Sequence, residues 1–115
     1  MHNQPIGIFD SGIGGLTVAH ALKKKLPNES LIYFGDTEHL PYGEKSNSAI
    51  CNFSKAITNF LEKKQCKAII IACNSASSVA YKAVKDIAKV PMFNVIDPVT
   101  KHVAKFRNED IVGVI

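Results

Sequence analysis

Lys67-Ala-Ile-Ile-Ile-Ala-Cys73-Asn-Ser-Ala-Ser-Ser78 is the stretch on which the fold of this 115-residue chain turns. Ala68 to Ala72 is an uninterrupted apolar run, the pattern of a strand buried on both faces. From Ala76 the period changes. Ala76, Val79, Ala80, Ala83, Val84, Ile87 and Ala88 recur at helical spacing, so a helix is expected to run on to near Lys89. Asn74 and Ser75 suit its N-cap. Cys73 then lies where the carboxyl end of a strand meets a helix N-terminus, the edge of an open α/β sheet at which ligands bind. A helix N-terminus favours a thiolate, the reactive form of cysteine. A small buried hydrophobe is the other role open to a cysteine there, and position alone does not choose between them.

The same alternation extends outward in both directions. Upstream, Ile6 to Phe9 reads as a first strand that runs into the glycine-rich turn Asp10-Ser-Gly-Ile-Gly-Gly15. A helix follows with Val18, Ala19, Leu22 and Leu26 on its apolar face, stopped by Pro27-Asn28. Leu31 to Phe34 is a second strand, and the loop from Gly35 to Lys45 carries Asp36, His39 and Pro41-Tyr42-Gly43. A second helix is expected from Ser46 to Lys64, with Ile50, Phe53, Ile57, Phe60 and Leu61 toward the core. Downstream, Met92 to Val95 is a short fourth strand, Asp97-Pro98 starts a helix over Val99 to Phe106, and Ile111 to Ile115 begins a fifth strand.

Strict β-α alternation with short loops predicts an α/β fold, an open parallel sheet with helices on both faces. A flavodoxin-like strand order 2-1-3-4 places the switch point between strands one and three, which sets the Asp10 loop beside Cys73. Residues 1–97 read as a first α/β lobe, incomplete. Residues 98–115 read as a crossover and the first strand of a second lobe. The chain stops inside an apolar strand, as a fragment of a longer protein is expected to.

Composition narrows the setting. With 46% hydrophobic residues, a domain of this length can bury a core. No apolar stretch is long enough to span a bilayer, and Met1-His-Asn-Gln-Pro5 lacks a signal-peptide pattern. Cys51, Cys66 and Cys73 have neither pairing nor metal-ligand spacing, which points to free thiols in a reducing cytoplasm and to no bound metal. The net charge of +4 is mild. Lys23-Lys24-Lys25 and Lys63-Lys64 fall at helix ends, where cations suit the dipole. Without a nucleic-acid motif they read as solvated ends, so neither nucleic acid nor membrane is an expected partner.

Among the candidate chemical groups, Asp10-Ser11-Gly12 with Gly14-Gly15 is similar to loops that cradle anions at helix starts. It fits neither the G-x-G-x-x-G fingerprint nor a P-loop, and a tight turn requiring glycine is its plainer reading. Asp10 is harder to explain structurally, because a carboxylate at a strand's carboxyl end does little beyond capping. No arginine follows Cys73 five residues on, which argues against a cysteine-phosphatase loop. His39 and His102 read as surface residues, and Pro41-Tyr42-Gly43 as a turn.

Three segments together carry a resemblance: Ile8-Phe-Asp-Ser-Gly-Ile-Gly-Gly-Leu-Thr17, Gly35-Asp36 with Pro41-Tyr42-Gly43, and Ala72-Cys-Asn-Ser-Ala-Ser77. In this combination and order the chain resembles the glutamate racemases of the aspartate/glutamate racemase superfamily, cofactor-independent isomerases that supply D-glutamate for peptidoglycan. Ser75 stands where that family usually has threonine, and keeps the hydroxyl. The resemblance implies a two-lobe enzyme in which two cysteines flank the substrate's Cα, one from each lobe. Cys73 matches the first. The second belongs to a Gly-Cys-Thr-His motif absent from this chain. It further implies that Asp10 assists Cys73 as a catalytic residue. Asp10, Ser11, Pro41, Tyr42, Gly43, Asn74 and Ser75 are implied to contact the substrate, glutamate. No pyridoxal phosphate, metal or nucleotide cofactor is implied, and a homo-oligomer is compatible. An aspartate racemase or related superfamily enzyme, or an anion- or nucleotide-binding α/β module with Cys73 merely packed, are the competing readings.

Overall fold

The structure, a computed structural model, describes residues 4–95. The expected helix over 99–106, the strand over 111–115, the turn at Asp97-Pro98, the division at residue 97 and His102 lie outside the described residues.

Four parallel strands form one sheet: β1 (Ile6–Asp10), β2 (Leu31–Gly35), β3 (Ala68–Ile71) and β4 (Met92–Asn94). Their order is β2-β1-β3-β4, as the alternation predicts. In register, Ile8 lies opposite Tyr33 on one side and Ile70 on the other, and Asp10 opposite Gly35. The connecting helices are α1 (Leu16–Lys25), α2 (Asn47–Lys63), α3 (Asn74–Val79) and α4 (Tyr81–Ile87). Right-handed crossovers step one way after β1 and the other way after β2. They therefore put α1 on one face and α2, α3 and α4 on the other.

The second face carries the main core. Phe9 meets Tyr42 edge to face at 6.3 Å, and a Cβ at Gly7 would touch Leu61 and Cys66 at 3.0–3.3 Å. Ile50, Ile57 and Leu61 of α2 are buried against it. Complete burial of a side chain such as Leu61 contributes roughly 1.5–3 kcal/mol. The first face is only partly covered, which corrects the expectation for β3. Ile69 and Ile71 are buried, but Ala68 and Ile70 are half-buried. Helix α1 is the one described helix on that face, and none of its residues is fully buried; Leu26 lies 43% exposed.

Three local expectations also change. The helix after Cys73 is not continuous: it breaks at Ala80, which ends α3 and starts α4. The Ser78 hydroxyl donates to the Ser75 carbonyl, and the Tyr81 hydroxyl donates to the Met92 carbonyl. Competing side-chain bonds of the first kind bend helices, and the second ties α4 to a different element. The N-cap is Cys73 itself, with Asn74 as the first helical residue. Phe60 is 40% exposed, on the flank of α2, where it packs on Phe34 with ring centroids 5.4 Å apart.

Helix α2 has well-defined ends. The Ser46 hydroxyl accepts from the Ala49 N–H at 3.1 Å. At the other end Cys66 N–H donates to Leu61 C=O and Gln65 N–H to Glu62 C=O, a Schellman motif. Its left-handed position is held by Gln65, at φ 62°, where glycine carries no Cβ penalty. Gln65→Gly is therefore expected to stabilise the fold by about 0.5–1 kcal/mol. Chemical denaturation of the two forms checks this, and an unchanged or lowered midpoint contradicts it.

Candidate active site

Strands β1 and β3 run side by side and end together, with the Ala72 N–H donating to the Phe9 carbonyl at 2.7 Å. The two loops that follow must therefore meet. They line a cavity of about 500 Å³, formed by Asp10 to Gly14 on one side and Ala72 to Ser75 on the other. Leu40, from the loop after β2, completes the wall.

Cys73 is 6% exposed. Its Sγ accepts the Ala76 N–H at 3.4 Å, so the sulfur takes the place that a capping oxygen usually fills. Asp10, the last residue of β1, is 3% exposed. Its Oδ2 accepts the Gly15 N–H at 2.5 Å and the Tyr33 hydroxyl. The approach of Gly15 needs glycine: a Cβ there would lie 2.8 Å from both Asp10 Oδ2 and the Ala72 side chain. Burial pushes the Tyr33 phenol well above the usual tyrosine range, and the hydrogen bond to Asp10 and its charge push the same way. Tyr33 therefore stays protonated and remains a donor.

The loop after β2 is built around a second carboxylate. Asp36 is buried, and its N–H extends the β1–β2 ladder by donating to the Asp10 carbonyl at 2.9 Å. Its side chain accepts the Tyr42 hydroxyl at 2.5 Å and pairs with His39 Nδ1 at 2.7 Å. Tyr42 is 2% exposed, wedged between Phe9 and Phe53. Burial, then the bond to Asp36 and its charge, hold its phenol far above the ordinary value, with smaller contributions from Cys73 and Asp10. His39 is not simply a surface residue, since its ring stacks on Phe53 at 3.9 Å.

The eight residues marked in the sequence are thus placed unequally. Asp10, Ser11, Cys73, Asn74 and Ser75 share one cavity. Pro41, Tyr42 and Gly43 do not line it; their loop reaches it through Leu40, and the Tyr42 side chain points into the core. Sequence reasoning did not single out Tyr33 or Leu40. Strand period puts Tyr33 on the opposite face of β2 from Ile32 and Phe34, but that this face and position meet Asp10 follows only from the register of β2 against β1. Leu40 carries no such signal. Cys51 and Cys66 are free thiols away from this wall, and burial pushes the Cys66 thiol up, which makes it inert. Among the described residues no His, Cys, Asp or Glu cluster could hold a metal ion.

Fold and cavity together define an open α/β lobe that presents a thiol and a carboxylate at its switch point, on one wall of a site. Residues 16–115 match the Asp/Glu/Hydantoin racemase family, and the chain belongs to that family. It is 45% identical to the glutamate racemase of Corynebacterium diphtheriae over 115 residues, all of this chain and 43% of that protein. Among solved structures it superposes on the glutamate racemase of Francisella tularensis in complex with D-glutamate with a TM-score of 0.89 and 47% identity. That match covers 92% of this chain and 40% of that one. The enzyme of Thermus thermophilus in complex with β-chloro-D-alanine gives a TM-score of 0.88 at 45% identity, over 91% of this chain and 41% of that one. The chain therefore spans less than half the length of the relatives it matches.

Proposed function

We propose that this chain forms the first lobe of a glutamate racemase that interconverts L- and D-glutamate without a cofactor. The observation that carries the reading is the placement of Cys73 and Asp10 on one wall of a cavity, in a chain so similar to glutamate racemases. The Francisella relative holds D-glutamate, which supports the choice of substrate.

Inversion at Cα requires that a proton leave one face and another arrive on the opposite face. In this mechanism the Cys73 thiolate takes the Cα proton and becomes a thiol. The electron pair left on Cα takes a proton from a second thiol on the other face, supplied by a second lobe. That thiol becomes a thiolate, and the reverse reaction exchanges the roles. Asp10 serves the proton transfer at Cys73. Ser11, Asn74 and Ser75 hold the substrate's carboxylates and amine, and the Pro41-Tyr42-Gly43 segment contributes through its backbone because the Tyr42 ring is buried. Fixed N–H and hydroxyl dipoles favour the charge that develops on deprotonation. The product feeds peptidoglycan synthesis in the cytoplasm.

Polarimetric or circular-dichroism assay of the full-length enzyme on L-glutamate, L-aspartate and a hydantoin tests the reading. Turnover of glutamate is expected, and a preference for either of the others contradicts it. Asp10→Asn is expected to lower kcat by about 10²-fold with KM within a few-fold, as a group acting in proton transfer should. A change confined to KM contradicts the role given to Asp10.

A further inference from the structure

Strand β2 places two groups against the Asp10 loop, and neither touches the substrate cavity. Gly35 is one. A Cβ there would lie 2.3 Å from the Gly12 carbonyl, so the absence of a side chain lets the loop settle on the strand. Tyr33 is the other. Its hydroxyl donates to Asp10 Oδ2 and lies 3.0 Å from the Gly12 carbonyl. A single hydroxyl thus joins the carboxylate to the backbone of the turn that follows it. Both recorded bonds to the carboxylate, from Tyr33 and from Gly15, go to Oδ2. Among the described residues Oδ1 accepts none, which leaves that oxygen for the cavity that Asp10 lines.

We infer that Tyr33 is a positioning residue for the racemisation proposed above: it fixes the rotation of the Asp10 carboxylate so that Oδ1 faces Cys73's side of the cavity. The inference rests on that reading of the site. The physical argument is geometric. A carboxylate anchored through one oxygen by two donors from different elements cannot turn about its Cα–Cβ and Cβ–Cγ bonds without breaking both. With the Gly15 N–H alone, the group pivots about one contact, and a proton-transfer partner held less well costs rate rather than binding. The phenol suits the task because it stays protonated through the working pH range and cannot compete for the substrate's proton.

The test is a double-mutant cycle in the full-length enzyme. Tyr33→Phe keeps the ring and removes the hydroxyl. It is expected to lower kcat about tenfold or more with KM within twofold, and to enlarge the isotope effect with Cα-deuterated glutamate. In an Asp10→Asn background the same change is expected to have no further effect, since Tyr33 acts through that carboxylate. Equal tenfold losses in both backgrounds, or a loss confined to KM, overturn the inference. Should Tyr33→Phe fold poorly, site-specific replacement of Tyr33 by fluorotyrosines keeps the shape and grades the donor. A kcat that follows donor strength supports the inference, and an unchanged kcat overturns it. If the unmodified enzyme does not racemise glutamate, the underlying reading fails; if it does and Tyr33→Phe matches it, only this inference fails.

Discussion

Cys73→Ser in the full-length enzyme is expected to reduce racemisation in both directions by about 10²–10⁴-fold, the range of a lost general acid–base group. Serine is the more informative replacement because of the cap. The Cys73 sulfur accepts the Ala76 N–H at the start of α3, and a serine hydroxyl is a better capping group than sulfur. The helix start should survive, so the loss reports chemistry. Cys73→Ala removes the cap as well and is expected to cost about 1 kcal/mol of stability in addition. A second measurement separates the two faces of Cα. With one base gone, the remaining thiol can still remove and return a proton on its own side. Incubation in deuterium oxide should then exchange the Cα hydrogen of one enantiomer faster than it inverts either. Unmodified rates from both variants would sink the assignment of Cys73 as a base.

The 115-residue chain by itself is expected not to racemise glutamate at all. Among the described residues Cys73 is the single thiol on the cavity wall, with Cys51 and Cys66 elsewhere, so no second thiol stands ready for the other face of Cα. In the two-lobe reading this cavity is one half of the substrate site, and water entering from the side of the second lobe would weaken the electrostatic stabilisation of a carbanion. The same openness affects association. Ile13 is 69% exposed, Leu16 50% and Phe93 54%. Ile13 and Leu16 lie at the cavity rim and the start of α1, and Phe93 lies beside Ile70 on the half-covered face of the sheet. Apolar groups left open in this way favour self-association. Circular dichroism of L-glutamate with the purified chain should stay flat, and light scattering should report a mass above that of a monomer. Measurable racemisation by the chain would mean that the second donor lies within it or comes from another copy, against the two-lobe mechanism.

The sequence by itself determined the order of strands and helices, the parallel sheet and the sheet edge that brings Asp10 and Cys73 together. It could do so because those properties are local. An apolar run in β3 followed by helical spacing from Ala76 marks a strand end and a helix start, and short loops leave few ways to connect such units. Once the order β2-β1-β3-β4 is granted, Asp10 and Cys73 must be neighbours, since each ends one of two adjacent parallel strands. Only the tertiary structure decided which groups these residues meet. That Tyr33 joins the loop residue Gly15 in holding Asp10 depends on register, Ile8 opposite Tyr33, and on which side of β2 faces α1. That Tyr42 turns into the core to meet Asp36, while Leu40 takes its place at the cavity, depends on the space between Phe9 and Phe53. The bond from the Tyr81 hydroxyl to the Met92 carbonyl, next to the break at Ala80, depends on where β4 passes α4. Each of these is fixed by contacts between residues far apart in the chain, and hydrophobic period carries no record of them.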